Sequence, residues 1–135
     1  MKDLKIYRNL FIVAFFWNII AAVAALVQPD LNFKLMYDAT VNEYNYLVYF
    51  GWELFWINVA LFGAGYLMVA LNPLKNHGII ALAILGKSYV GIRWVYLYFN
   101  DQAELFALAG GLGDIAFALI FIYVLPKLRK AANSN

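Results

Sequence analysis

The chain has no cysteine among its 135 residues and a single histidine, His77. The first absence excludes disulfides, thiol redox chemistry and thiolate metal sites. One histidine cannot supply bis-imidazole haem ligation or a multi-histidine metal centre within one chain. No cofactor and no metal is therefore expected. Charge is scarce as well: Asp, Glu, Lys and Arg make up 13% of the residues, about half the share of an ordinary soluble domain (~25%). The sequence contains no Walker loop, Rossmann glycine set, His-Glu-x-x-His or nucleophile elbow, so the apparatus of soluble-type catalysis is missing. Nothing points to a nucleic-acid partner.

What fills the space is apolar. Hydrophobic residues make up 65% of the chain and aromatic residues 19%, more than a soluble fold of this size can bury. Runs of about 20 apolar residues occur at 9–27, 46–71, 78–99 and 105–125. All three prolines punctuate them: Gln28-Pro29-Asp30 closes the first run, Asn72-Pro73 the second and Pro126 the fourth, while Asn100-Asp101 closes the third. The fourth run is expected to end as a helix at Pro126, ahead of a basic tail. Strict apolar–polar alternation is absent, which excludes barrel strands. The expected fold is all-α: one polytopic domain over 1–135, with four transmembrane helices in an antiparallel bundle.

Flanking charge orients the bundle. Lys2, Lys5 and Arg8 precede the first span, Lys75 lies between the second and third, and Lys127, Arg129 and Lys130 follow the fourth. Asp30, Asp38, Glu43, Asp101 and Glu104 occupy the other two loops, where Lys34 is the only cation. Positive loops stay in the cytoplasm, so both termini are expected inside, in a bacterial inner membrane. The first span is read as retained, because its apolar run exceeds the roughly 7–15 residues of a signal-peptide core. The same charge bias argues against a dual-topology antiporter of the small multidrug type. No pair of proline-interrupted helices points to an inverted-repeat transporter. The long loop from Gln28 to Asn45 mixes apolar Leu31, Phe33, Leu35, Met36 and Tyr37 with charge, and reads as a lid over the outer mouth or as an ordinary anchored loop. His77, in the short basic turn, is expected to be solvated.

Glu53, Lys87, Arg93 and Asp114 lie inside the apolar runs, where charge is costly. At 1.5 Å of rise per residue, Glu53 and Arg93 both fall roughly 7 Å outward of their span centres, and Lys87 and Asp114 within about 3 Å of the bilayer centre. Two ion pairs are expected, Glu53 with Arg93 and Lys87 with Asp114, with Asn18 and Asn58 completing a central polar layer. Small residues on the third and fourth spans (Ala83, Lys87, Gly91; Ala107, Gly111, Asp114, Ala118) allow the backbones to approach around it. Ala60, Gly63, Ala64 and Gly65 offer a similar face on the second. Two readings of the charges stay open: self-satisfied structural bridges, or a polar cavity that engages a ligand. The aromatic-rich outer half reads mainly as an interfacial belt, with Trp52 and Trp94 as possible pocket aromatics.

The elements Leu61-Phe62-Gly63-Ala64-Gly65-Tyr66-Leu67, Asn72-Pro73, Leu85-Gly86-Lys87 and Gly113-Asp114 resemble the DoxX-like small bacterial four-helix membrane proteins. That resemblance implies a small integral subunit or accessory protein, and some members of the group are linked to quinone-coupled oxidoreductase complexes. It carries over no catalytic residue. Three functions follow in order of expectation. The first is an accessory subunit that meets a membrane-protein partner or a second copy of itself through its lipid-facing sides. The second is a binder or carrier of a small lipophilic molecule, a quinone or lipid, in an outward-opening pocket near Glu53, Arg93, Trp52 and Trp94. The third is an intramembrane enzyme using Glu53 or Asp114 as acid or base.

Overall fold

The computed structural model describes residues 2–39 and 46–134. Glu43, assigned above to the long loop, lies outside the described residues. The described chain is all-helical: α1 (Lys2–Val27), α2 (Pro29–Tyr37), α3 (Tyr46–Leu71), α4 (His77–Phe99) and α5 (Leu105–Asn133). Four of the five are long and apolar enough to span a bilayer, as expected. Their exposed sides carry residues such as Val13, Ile20, Leu47, Leu61, Leu85, Ile92 and Leu119, side chains that lipid solvates better than water does.

Two boundaries differ from the sequence expectation. Helix α1 starts well ahead of its apolar run, taking in the basic segment. Helix α5 continues through Pro126 to Asn133. Proline withdraws one backbone donor from a helix interior, but Val124 before it and Leu128 after it are both buried. Packing on either side carries the helix across the missing bond. His77 also departs from expectation, since it opens α4 with its Nε2 buried and without a partner among the described residues.

The long helices pack as two pairs, α1 against α3 and α4 against α5, with only a thin contact between α3 and α4. Glycine explains the intimacy of the α4–α5 pair. A Cβ at Gly91 would lie 2.7 Å from the Gly111 carbonyl oxygen, and one at Gly111 would lie 3.0 Å from the Gly91 carbonyl oxygen. Only glycine at both positions permits this approach, which confirms the small-residue stripes as the α4–α5 seam. On α3, Gly63 meets Ile19 and Asn18 of α1, and Gly65 meets Ile79 of α4.

Between the pairs, apolar packing gathers at two levels. One cluster centres on Phe11, Tyr66, Ile80, Phe121 and Leu128, with Leu4, Tyr7 and Leu74 against it. It therefore closes the end of the bundle that holds both terminal segments and the α3–α4 turn. Its rings interlock, with Phe11 stacked on Phe121 at 5.0 Å and Tyr66 edge-on to Phe121 at 5.5 Å between centroids. The other cluster, Ala22, Ala25, Phe33, Met36, Trp52, Trp56, Ala103 and Ala107, lies at the α2 end.

Helix α2 caps that second end, and local chemistry shapes it. Pro29 sits in its first turn, where the missing N–H costs nothing. Asp38 ends it in the left-handed region (φ 50°), with its N–H donating to the Lys34 carbonyl. The last carbonyls of a helix need outside donors, and α2 and α3 supply them to α1. The Asn32 amide donates to the Ala24 and Gln28 carbonyls at 2.9 and 3.0 Å, and the Trp52 indole donates to the Ala25 carbonyl at 3.1 Å. On its far side the Met36 carbonyl accepts from the Glu104 N–H at 2.7 Å. The described part of the long loop is thus a helix packed across this end of the bundle.

Candidate functional site: a cavity above a buried ion pair

At mid-height the two helix pairs are joined by polar contacts. Lys87 Nζ donates to Asp114 Oδ1 at 2.6 Å and to Asn18 Oδ1 at 3.0 Å, linking α4 to α5 and to α1. The side chains of Lys87 and Asp114 are 6% and 13% exposed. Asn18 is fixed in turn by its amide, which donates to the Val59 carbonyl of α3 at 3.0 Å. Trp17 lies over Gly113, and its indole N–H reaches Asp114 Oδ1 at 3.3 Å. The ammonium also stands 5.1 Å from the Phe117 ring centre and 5.7 Å from that of Tyr66. Opposite charge, an amide acceptor and aromatic faces together offset the cost of holding an ammonium at mid-membrane.

The expected Lys87–Asp114 pair is thus present, and Asn18 joins it. The expected Glu53–Arg93 pair is not. Glu53 is half-buried on α3, whereas Arg93 is exposed and holds its guanidinium 5.2 Å from the Tyr96 ring centre on its own helix. Equal depth did not bring them together, because α4 packs on α5 and touches α3 only lightly. Asn58 does not complete the polar ring either. It is exposed, and its amide donates to the Leu54 carbonyl one turn back along α3 at 2.8 Å, a partner every helix offers.

Above the Lys87–Asp114–Asn18 floor the helix pairs diverge and leave a mostly apolar cavity of about 490 Å³, within the usual ~300–1,000 Å³ of small-molecule sites. Trp56, Phe62 and Val90 wall it, Tyr66 and Ala83 lie at its base, and Gly86 faces it with nothing within 4 Å of where its Cβ would be. Trp56 is 5% exposed and its indole nitrogen has no partner among the described residues, unusual for a buried donor. A second cavity of similar volume lies at the α2 end, lined by Phe33, Tyr37, Trp52 and Gln102 among others. Met36, Phe55 and Trp94 line both. The Trp94 indole donates to the Tyr37 hydroxyl at 3.0 Å, tying this partition to α2. Burial pushes the Tyr37 phenol pKa up, and the Trp94 hydrogen bond offsets part of that rise.

Of the two aromatics singled out from the sequence, Trp94 belongs to both cavities and Trp52 to the one at the α2 end alone. Glu53 and Arg93 line neither. Sequence reasoning missed Trp17, Trp56 and Tyr66, which read as ordinary span residues. Only the position of Trp17 beside Asn18 held a hint. Among the described residues no group of acidic or histidine side chains is arranged to hold a metal ion. No protein-family model matches the chain, and no curated protein or solved structure matches it.

Proposed function

We propose that the chain is an antiparallel four-helix protein of the bacterial inner membrane that binds a small lipophilic molecule, a quinone or lipid, in the cavity above Lys87 and Asp114. Both termini are placed in the cytoplasm, with α2 facing outward. The charge bias supports this orientation, since the end shared by the termini and the α3–α4 turn carries most of the lysine and arginine. Affiliation with the DoxX-like group is part of the proposal and rests on the sequence elements given above.

One observation carries the binding reading: a ligand-sized apolar space is left open between the helix pairs, directly above a buried ion pair and the closely packed end built on Phe11, Tyr66 and Phe121. Interiors normally close-pack, and a space of this size lined by aromatic rings with a few polar groups at its base has the make-up of a ligand site. The ion pair supports a role as floor rather than as reactant. The Asp114 carboxylate is engaged by Lys87 and Trp17, and Glu53 lines neither cavity, so neither is well placed as acid or base. The accessory-subunit reading rests on the DoxX-like resemblance and on the apolar composition.

Purification in mild detergent, followed by mass spectrometry of proteins and lipids together, tests the proposal. A lipophile at near-equal stoichiometry, lost when Gly86→Leu fills the space, is expected. An empty cavity in a lone monomer contradicts binding, and an empty cavity with a tightly associated second protein favours the subunit reading.

A further inference from the structure

We propose that the cavity is a passage with two doors, one open sideways to the bilayer and one at the α2 end, through which a lipophilic molecule moves between the membrane and the outer face. The inference rests on the binding reading and adds a direction to it.

The lateral door is marked by residues that line the cavity and are also exposed. Trp17, Ile20 and Ala24 on α1 and Phe106 and Ala109 on α5 meet both conditions, whereas only Asn58 does so on the α3–α4 side. On a spanning helix an exposed face is a lipid face. The α1–α5 seam is shut below by the Trp17–Asp114 contact and by Phe11 stacked on Phe121. It opens above them, where the facing residues are apolar and Ala24 and Ala109 are small. A lipid-dissolved molecule can therefore enter without crossing water.

The second door is the partition shared by the two cavities. Met36 comes from α2, Phe55 from α3 and Trp94 from α4, so the partition is made by elements that pack lightly on one another and not by one rigid helix. Methionine suits such a position, being unbranched and adaptable. Polar contacts tie its carrier to three neighbours: Asn32 to the end of α1, the Met36 carbonyl to Glu104, and Tyr37 to Trp94. Swinging α2 about its Asn32 anchor breaks the last two, parts Phe33 and Met36 from the apolar cluster at this end and joins the cavities into one route.

Absence of cysteine makes the test direct. Val90→Cys places one thiol on the central cavity wall. In nanodiscs, its rate of modification is measured with lipid-soluble N-phenylmaleimide and with membrane-impermeant sulfonatoethyl methanethiosulfonate. Tyr37→Phe is expected to raise the sulfonate rate about fivefold, the population shift from losing one hydrogen bond. Met36→Ala is expected to raise it further, and both should leave the maleimide rate unchanged. Ala109→Phe is expected to slow the maleimide several-fold without affecting the sulfonate. Two reagents that rise and fall together in every variant mean a single mouth and overturn the passage. A sulfonate rate indifferent to both lid variants does the same. Saturable quenching of tryptophan by a decyl-substituted benzoquinone is recorded on the unmodified Val90→Cys protein. Its presence beside a failed reagent pattern leaves binding intact, and its absence overturns binding and passage together.

Discussion

Removing either partner of the Lys87–Asp114 pair should unfold more than the pair itself, because the ammonium holds three helices together. Asp114→Ala leaves Lys87, with a side chain 6% exposed, an Asn18 acceptor and two aromatic rings but no counter-charge. Breaking one side of a buried pair costs about 3–5 kcal/mol. That is comparable to the ~2.5–3.5 kcal/mol for an unpaired charge at mid-membrane. Asp114→Asn keeps an acceptor near Nζ and loses only the charge assistance, for which about 1–3 kcal/mol is expected. Lys87→Met with Asp114→Leu removes both desolvation costs and should return to within ~1 kcal/mol of the parent, as buried pairs replaced by apolar side chains commonly do. The assay is SDS-induced unfolding from mild-detergent micelles followed by tryptophan fluorescence, since Trp17, Trp56 and Trp94 all border the cavity. A single variant Lys87→Met as stable as the parent refutes the reasoning, as does a double variant whose loss equals the sum of the two singles.

The same glycine-to-alanine change should act with opposite sign at two positions of α4. Gly86→Ala gains about 0.5–1 kcal/mol from helix propensity, with nothing within 4 Å of its Cβ, whereas Gly91→Ala drives a Cβ to 2.7 Å from the Gly111 carbonyl oxygen and should lose ~1–3 kcal/mol. Equal effects in the unfolding assay would show that the α4–α5 approach is misplaced. Glu53→Gln and Arg93→Gln should each change stability by less than about 0.5 kcal/mol and combine additively, the behaviour of groups that do not pair with each other; a coupling above ~1 kcal/mol would restore the pair that the structure lacks. The Tyr37 phenol pKa is raised by burial, so its folded value lies above the unfolded one. Docking of α2 is then pH-independent below the ordinary phenol range near ~10 and weakens as pH rises through it. Hydrogen exchange of α2 amides against pH should show this loss in the parent and not in Tyr37→Phe, and identical profiles would contradict it.

Depth was legible in the sequence because it follows from helical rise alone, and it correctly placed Lys87 level with Asp114. Neighbourhood was not. Whether Arg93 meets Glu53 depends on which helices pair, and that is decided by the Gly91–Gly111 approach drawing α4 onto α5 and by Gly63 seating α1 on α3. Those glycines were visible as small-residue stripes, but a stripe does not name its partner. The end of α5 was misread at Pro126 for a similar reason, since the burial of Val124 and Leu128 on either side is a tertiary fact. The cavity was legible least of all. It is made where Trp56, Phe62, Val90 and Gly86 fail to fill the space between two helix pairs, and absence of packing leaves no pattern in a run of apolar letters.

The central claim is that this unfilled space is a binding site, and Gly86 gives direct access to it. A decyl-substituted benzoquinone titrated against tryptophan fluorescence in nanodiscs should quench the parent protein saturably. Gly86→Leu, which enters the cavity from a position where a Cβ has nothing within 4 Å, should lose the saturable component while unfolding no earlier than the parent. Saturable quenching of equal midpoint in both proteins, or only linear quenching in the parent, would contradict the account.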